Sequence, residues 1–234
     1  MSMSNKSKIS VIMSVKDSQE SVSNAIESIL MQSYPNFEFL IMDDFSNDNT
    51  LKIIEKFKLE DNRIKIFKNK RNLGLTKSLN ILIKNSKGEF IARQDGDDIS
   101  FRDRLESQMN YLVSNNLDGC TTQAISTQNS KILHNKSKFL PKKYLIKFKN
   151  PFIHGSLVIR KQTMERINYY DEDFYYAQDY KLFTDLIKSG FKINILNKAL
   201  YQLNTENNIS SLNKIQQKYY ADCVRNNIKP NQDY

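Results

Sequence analysis

The stretch Asp95-Gly96-Asp97-Asp98 sets acids on either side of a glycine. Side chains alternate in extended backbone, so Asp95 and Asp97 would share one side. Two carboxylates held together repel unless a cation sits between them. Oxygen ligands of this kind suit hard divalent ions such as Mg²⁺ or Mn²⁺. Gly96 would let a ligand or another backbone come close. An Asp-Gly pair also marks an ordinary solvated turn, so the position of the motif in the fold decides its meaning. A second acidic pair, Asp43-Asp44, could accept hydrogen bonds from a base N–H and a ribose hydroxyl, or could cap a nearby helix. In Asn72-Leu73-Gly74-Leu75-Thr76-Lys77, backbone N–H groups and Lys77 could hold a phosphate or base oxygen at a helix start. His154 is one of two histidines and reads either as a satisfied polar residue or as a ligand beside the acids. His134 lies in a basic stretch and is assigned nothing. Asp179 opens an amphipathic helix. It is either a helix-start cap or a general base kept ionised by the helix dipole.

These residues need a scaffold, and the first half of the chain alternates strand and helix. Apolar, β-branched runs at 8–15, 37–42, 64–67 and 89–93 read as buried strands. Between them lie helical patterns: one capped by Ser18 with Val22, Ala25, Ile26, Ile29 and Leu30 on one face, one at 50–58 capped by Asp48 or Asn49, and one at 73–85. That order predicts an α/β fold, an open and mostly parallel sheet with helices on both faces. Ligands in such sheets bind beyond the carboxyl ends of the strands. The polar clusters at 14–17, 43–46 and 95–98 all fall there.

The second half is less regular. It suggests a helix at 101–115, strands at 119–126, 131–133 and 157–159, and a short basic helix at 141–149. A helix at 179–189 is closed by Gly190 as a C′ glycine. Two final strands follow at 191–196 and 199–203, then a polar loop at 204–208 and a terminal helix at 212–226. One domain over 1–211 is expected, in two halves at 8–100 and 101–211. The C-terminal helix and tail occupy 212–234.

Composition narrows the partners. The chain has 234 residues, with 35 Lys+Arg against 26 Asp+Glu, a net charge of +9. That length can bury a sizeable core without a staple. Cys120 and Cys223 stand far apart with no metal-ligand spacing, so neither a disulfide scaffold nor a zinc module is indicated. No apolar run approaches the roughly 20 residues of a membrane span. Residues 1–10 lack the apolar core of a signal peptide, and a cytoplasmic setting is expected. The positive balance fits nucleic acid, an anionic membrane or a phosphorylated small molecule, besides a Lys- and Asn-rich composition bias. With no Arg-rich block, no nucleic acid is expected as a partner. Neither a Walker A run nor G-x-G-x-x-G occurs.

In order and spacing, these segments resemble the family 2 glycosyltransferases, which have the GT-A fold. The matching stretches are Ser10–Val15, Ile29–Tyr34, Phe37–Asp44 with Ser46, Asp48 and Thr50, Asn72–Leu75, Ser78–Asn80, Gly88–Arg93, Asp95–Ile99, Arg104–Glu106, Asn150–His154 and Ala177–Tyr180. The resemblance spans about 9–211. It implies inverting transfer of a sugar from a nucleoside diphosphate, UDP here, to an acceptor hydroxyl. Ser14, Val15, Asp43, Asp44, Asn72, Lys77, Arg93, Asp95, Gly96 and Asp97 would then line the nucleotide-sugar site. Asp97, Asp95 and His154 would attend a Mn²⁺ or Mg²⁺ ion, and Asp179 would be the base.

The chain departs from the family pattern in three places. Lys16 and Asp17 replace an aromatic and Asn, Gln178 replaces Glu, and Tyr201-Gln202-Leu203-Asn204 replaces Tyr-Arg-x-His. The expected role is single-sugar addition to a glycan or lipid-linked glycan in bacterial surface polysaccharide, lipooligosaccharide or capsule. Contact with an anionic inner membrane through Lys142, Lys143, Lys147 and Lys149 is also expected. The alternatives are a nucleotidyltransferase-like enzyme and a catalytically weakened sugar-nucleotide-binding protein.

Overall fold

A computed structural model describes residues 7–133, 141–205 and 213–231. His134, the end of the polar loop at 206–208, the start of the terminal helix at 212 and the domain boundary at 211/212 lie outside these residues. The first strands are β1 (Ile9–Val15), β2 (Phe37–Asp43), β3 (Ile64–Lys68) and β4 (Phe90–Arg93). They pair in parallel in the order β3-β2-β1-β4. Between them run α1 (Val22–Leu30), α2 (Thr50–Glu60) and α3 (Leu75–Asn85).

The alternation of side chains sorts two cores. Val11, Met13, Phe39 and Ile41 face one layer, with Ala25, Ile26 and Ile29 of α1 and Ile54 of α2. Ile12, Leu40 and Met42 face the other, with Leu79, Leu82 and Ile83 of α3. Both faces of the strands are therefore covered, as parallel strands require.

The sheet continues through β5 (Ile99–Ser100), β6 (Gly119–Ser126), β7 (Ile132–Leu133), β8 (Val158–Arg160) and β9 (Ile193–Leu203). Its full order among the described residues is β3-β2-β1-β4-β8-β6-β9-β5, with β7 on β6. β8 is antiparallel to β4 and β6, whereas β6 and β9 run parallel. The sheet is curled and mostly parallel. α4 (Arg104–Ser114) packs Leu105, Met109 and Leu112 into the α1 layer. α7 (Gln178–Lys188) and α8 (Lys214–Asn226) join the α3 layer. The short helices are α5 (Lys142–Leu145) and α6 (Lys161–Arg166). α8 buries Tyr220, Cys223 and Val224 in the same core as α7.

Several expectations need correction. The final strand pair is one strand, β9. Both halves pair with β6; the register shift at Thr122/Gln123 absorbs Asn197-Lys198 as a bulge, not a hairpin turn, and that at Gln123/Ala124 absorbs Leu200. Ser18 does not cap α1 through its side chain. Its hydroxyl donates to the Lys16 carbonyl, and its own carbonyl accepts from Ser21 and Val22 N–H in a turn that precedes the helix. The basic helix is confined to α5 and continues only as turns to Lys149. β5 and α6 are too short to show a periodicity.

Candidate active site

The first polar cluster is built where β1 and β2 finish side by side. Val15 pairs with Asp43 in register, and the Asp44 N–H donates to the Val15 carbonyl at 2.8 Å. Ser14 is half-buried just before it. Asp43 and Asp44 are both buried, but their oxygens differ. Asp44 Oδ1 accepts from Asn69 Nδ2 at 2.7 Å and Leu73 N–H at 2.8 Å, and Oδ2 from Gly74 N–H at 2.8 Å. Asp44 thus fastens the loop that feeds α3. Asp43 receives only a long 3.4 Å contact from Ser46 N–H at Oδ2, and its Oδ1 is buried with no protein partner. A buried acceptor without a donor costs free energy, so Asp43, unlike Asp44, keeps an oxygen that the fold does not satisfy. Asn72 accepts from Gly74 N–H at 3.1 Å, and Lys77 is exposed on the first turn of α3. Asn49 holds the cap position of α2 without a side-chain bond, and Asp48 just before it accepts from Thr50 N–H at 2.9 Å.

The acidic motif does not extend β4. The strand stops at Arg93, Gly96 and Asp97 form a turn, and Asp98 N–H reaches back to the Asp95 carbonyl at 3.4 Å. Extended alternation therefore does not place Asp95 and Asp97. Gln94 rivets the turn, with Nε2 donating to the Asp95 and Asp98 carbonyls at 2.9 and 2.8 Å. Gly96 is required because a Cβ there would run into Val15. Arg93 lies fully buried beneath, its guanidinium ion-paired with Asp95. Arg104, equally buried, donates to the Arg93 carbonyl at 3.1 Å and lies over the Tyr201 ring. Burial pushes the Arg104 guanidinium down to about 10. Burial, then Asp95, raises the carboxyl of Asp97, and burial with Asp95 and Asp97 raises that of Asp98. Acids raised in this way lack positive charge. Asp97 is the exposed member of the set.

The metal set of Asp95, Asp97 and His154 is not gathered into one cluster. Among the described residues no group of three His, Cys, Asp or Glu side chains is placed to hold an ion. The physical reason is partnership. Asp95 Oδ1 is taken by Arg93, and His154 Nε2 is 2.7 Å from the Tyr170 hydroxyl. Burial, then Arg93, pushes the His154 imidazole well down, so it is neutral. The fit to a divalent ion rests on Asp97 and the second oxygen of Asp95. Such ions commonly take one or two carboxylates plus substrate phosphates.

Asp179 lies in the first turn of α7. Ala177, left-handed at φ 51°, precedes the helix, and no side chain caps it. Asp179 is half-buried, and its Oδ2 accepts from Asn150 Nδ2 at 2.7 Å. Burial raises its carboxyl above the ordinary value of 3.8, and the Asp95 charge adds to the rise. A carboxylate with a raised pKa is a stronger proton acceptor once ionised.

The structure adds residues to which sequence reasoning gave no role. The Tyr201 hydroxyl accepts from Asp95 N–H at 3.2 Å. Gly155 presses on the same point, since a Cβ there would lie 2.5 Å from Asp95 Oδ2. Asn204 donates its N–H to Asp98 Oδ1 at 2.7 Å and its amide to Asp97 Oδ2 at 3.3 Å, so this departure from the family pattern touches the acids directly. Asn150 and Tyr170 hold Asp179 and His154. Asn150 carried a signal through its place in the Asn150–His154 match, and Tyr201 and Asn204 through the segment that replaces Tyr-Arg-x-His; Gly155 and Tyr170 carried none.

The fold is that of the GT-A glycosyltransferases. Residues 10–198 match the family described as glycosyl transferase family 2, and the chain belongs to that family. It is 32% identical over 189 residues to the Escherichia coli UDP-Glc:alpha-D-GlcNAc-diphosphoundecaprenol beta-1,3-glucosyltransferase WfgD, covering 78% of this chain and 70% of that protein. An uncharacterized glycosyltransferase of Haemophilus influenzae is 31% identical over 245 residues, covering 97% of this chain and 75% of that one. The structure of S. aureus TarS 1–349 in complex with UDP-GlcNAc superposes with a TM-score of 0.71 at 21% identity, covering 86% of this chain and 59% of that one. The mannosyltransferase PcManGT from Pyrobaculum calidifontis, in complex with GDP-Man and Mn²⁺, gives 0.77 at 16% identity, covering 97% and 67%.

Proposed function

We propose that the protein transfers a single sugar from a UDP-sugar to a hydroxyl of a glycan or lipid-linked glycan acceptor, with inversion, in bacterial surface polysaccharide synthesis such as lipooligosaccharide or capsule. The observation that carries this reading is Asp179, half-buried at a helix start, aimed by Asn150 and sharing the field of Asp95. Asp179 takes the acceptor's proton as its oxygen attacks the anomeric carbon from the face opposite UDP. Asp43, with its unpartnered Oδ1, receives an N–H of the base. Ser14, Val15, Asn72 and Lys77 border the nucleotide, and Arg93 holds Asp95 in place. Asp97 and Asp95 would hold Mn²⁺ or Mg²⁺, which when bound offsets the charge gathering on the leaving diphosphate. The glucosyltransferase WfgD, with its UDP-Glc donor and diphosphoundecaprenol-linked acceptor, and the UDP-GlcNAc bound to TarS support a UDP-sugar donor and a lipid-linked acceptor.

No helix among the described residues is long and apolar enough to cross a membrane. Tyr144 and Phe148 are exposed among Lys142, Lys143, Lys147 and Lys149, which supports peripheral contact of a cytoplasmic enzyme with an anionic inner leaflet. Incubation with UDP-sugars, Mn²⁺ and lipid-linked glycan acceptors tests the proposal. It predicts free UDP and a product whose anomeric configuration, read by NMR, is opposite to the donor's. Retention of configuration, or release of pyrophosphate, would contradict it.

A further inference from the structure

A nucleobase has a polar edge and two flat apolar faces, so a slot for it needs an acceptor or donor and a flat wall. Asp43 offers the acceptor. The wall is found on the segment leading into α7. Tyr175 is 52% exposed, a large ring left in solvent. Yet its backbone is pinned on both sides. The Phe174 carbonyl accepts from Thr76 Oγ1 at 3.1 Å, and the Ala177 N–H donates to Gln217 Oε1 at 3.2 Å. Tyr176 meets the Tyr175 ring edge-on at 5.1 Å.

The ring lies on Gly74, where a Cβ would come within 2.6 Å of Tyr175 Cε2. Gly74 also takes φ +83°, which only glycine adopts freely. Its N–H is the one held by Asp44 Oδ2. The ring therefore rests on the loop that Asp44, next to Asp43, fastens. Its hydroxyl is raised by burial and Tyr176, then by the Asp44 charge, with Lys16 opposing. Tyr175 thus stands among the residues that end β1 and β2. β1 itself runs out into Lys16 and Asp17, an ion pair and not a ring.

We propose that Tyr175 is the aromatic wall on which the donor's nucleobase stacks, with Asp43 at the polar edge of the same slot. This rests on the reading of the site as a UDP-sugar site. Uracil presents an N–H where cytosine presents a bare ring nitrogen, so Asp43 would favour UDP over CDP while Tyr175 serves either face alike. Stacking is insensitive to the phenol hydroxyl but needs the ring. A merely structural role on Gly74 needs bulk.

Titration calorimetry of UDP with Mn²⁺ against the wild type, Tyr175→Ala, Tyr175→Phe and Tyr175→Leu separates these. The alanine variant is expected to weaken UDP by about 5- to 150-fold. Phenylalanine should restore affinity to within about 2-fold, and leucine should not. An alanine variant that binds as the wild type does, a phenylalanine variant that fails to rescue, or a leucine variant that rescues fully would each overturn the role of Tyr175. If the wild type itself does not bind UDP, the donor reading falls and this inference falls with it. A flat response in the variants with wild-type binding intact removes Tyr175 alone.

Discussion

Two sets of acids lie at opposite ends of the parallel sheet. At the amino end of β2, Glu38 is 3% exposed. It receives Ser10 Oγ and Lys87 N–H, each at 2.6 Å, and Lys65 Nζ at 2.5 Å, with Lys8 at 3.6 Å. Burial alone would raise its carboxyl, but these partners hold it down at about 2. Beyond the carboxyl end of β4 and at the start of α7, Asp97, Asp98 and Asp179 are all raised, by burial first and by the Asp95 charge. The first set is satisfied and belongs to the fold. The second keeps its carboxyls raised beside the Asp95 charge, a pattern that clusters at functional sites. Loss of solvation raises every carboxyl in both sets, so the difference lies in the partners. The same contrast divides the adjacent pair, Asp44 spent on its loop and Asp43 holding an oxygen in reserve.

The largest expected effect falls on the raised set. Asp179→Asn should cut transfer by about 10²–10⁴-fold. It should not destabilise the fold. A carboxyl raised on folding contributes stability that is full below its ordinary pKa and is lost as pH rises through the raised value. At neutral pH the charged form therefore costs the fold, and thermal unfolding of the amide variant should come at or above the wild-type temperature. Transfer by the wild type should fall as pH drops through the raised Asp179 value, so the acid limb of the rate profile should lie above the usual aspartate range.

Asp97→Asn comes next. It should weaken both turnover and the gain in donor affinity that Mn²⁺ brings, as titration with and without the ion would show. If that gain is unchanged, Asp97 belongs with the structural acids.

Glu38→Gln should behave in the opposite way, costing on the order of 1–3 kcal/mol of stability while leaving turnover per folded molecule unchanged. The sign of its pH dependence is also opposite. A depressed carboxyl contributes stability above its ordinary value of 4.5, lost as pH falls toward about 2. Acid unfolding of the wild type and the variant should converge over that window. Gln178→Ala should be the mildest change, within a few-fold in rate, because the Gln178 side chain neither caps α7 nor takes part in the proton step.

The contrast between the two sets was only half legible in the sequence. The β-branched runs and the helices between them placed Asp43, Asp95 and Asp179 at strand and helix ends, because period and turn chemistry are local. Their states depend on partners far along the chain. Asn150 reaches Asp179 across 29 residues, Tyr201 reaches Asp95 across 106, and Tyr170 occupies the nitrogen of His154 that the sequence offered to a metal. Asp44 resembled Asp43 until the loop at 69–74 folded onto it. Asn197-Lys198 looked like a turn because nothing local says that both flanking runs pair with β6.

The most direct test of the account is UDP release measured beside UDP-sugar affinity for Asp179→Asn, with Glu38→Gln as the paired control. The account predicts near-complete loss of release with donor affinity close to wild type for Asp179→Asn, and normal release from whatever fraction of Glu38→Gln is folded. Turnover of Asp179→Asn within a few-fold of the wild type would contradict it, and would make Asp179 a structural acid like Glu38.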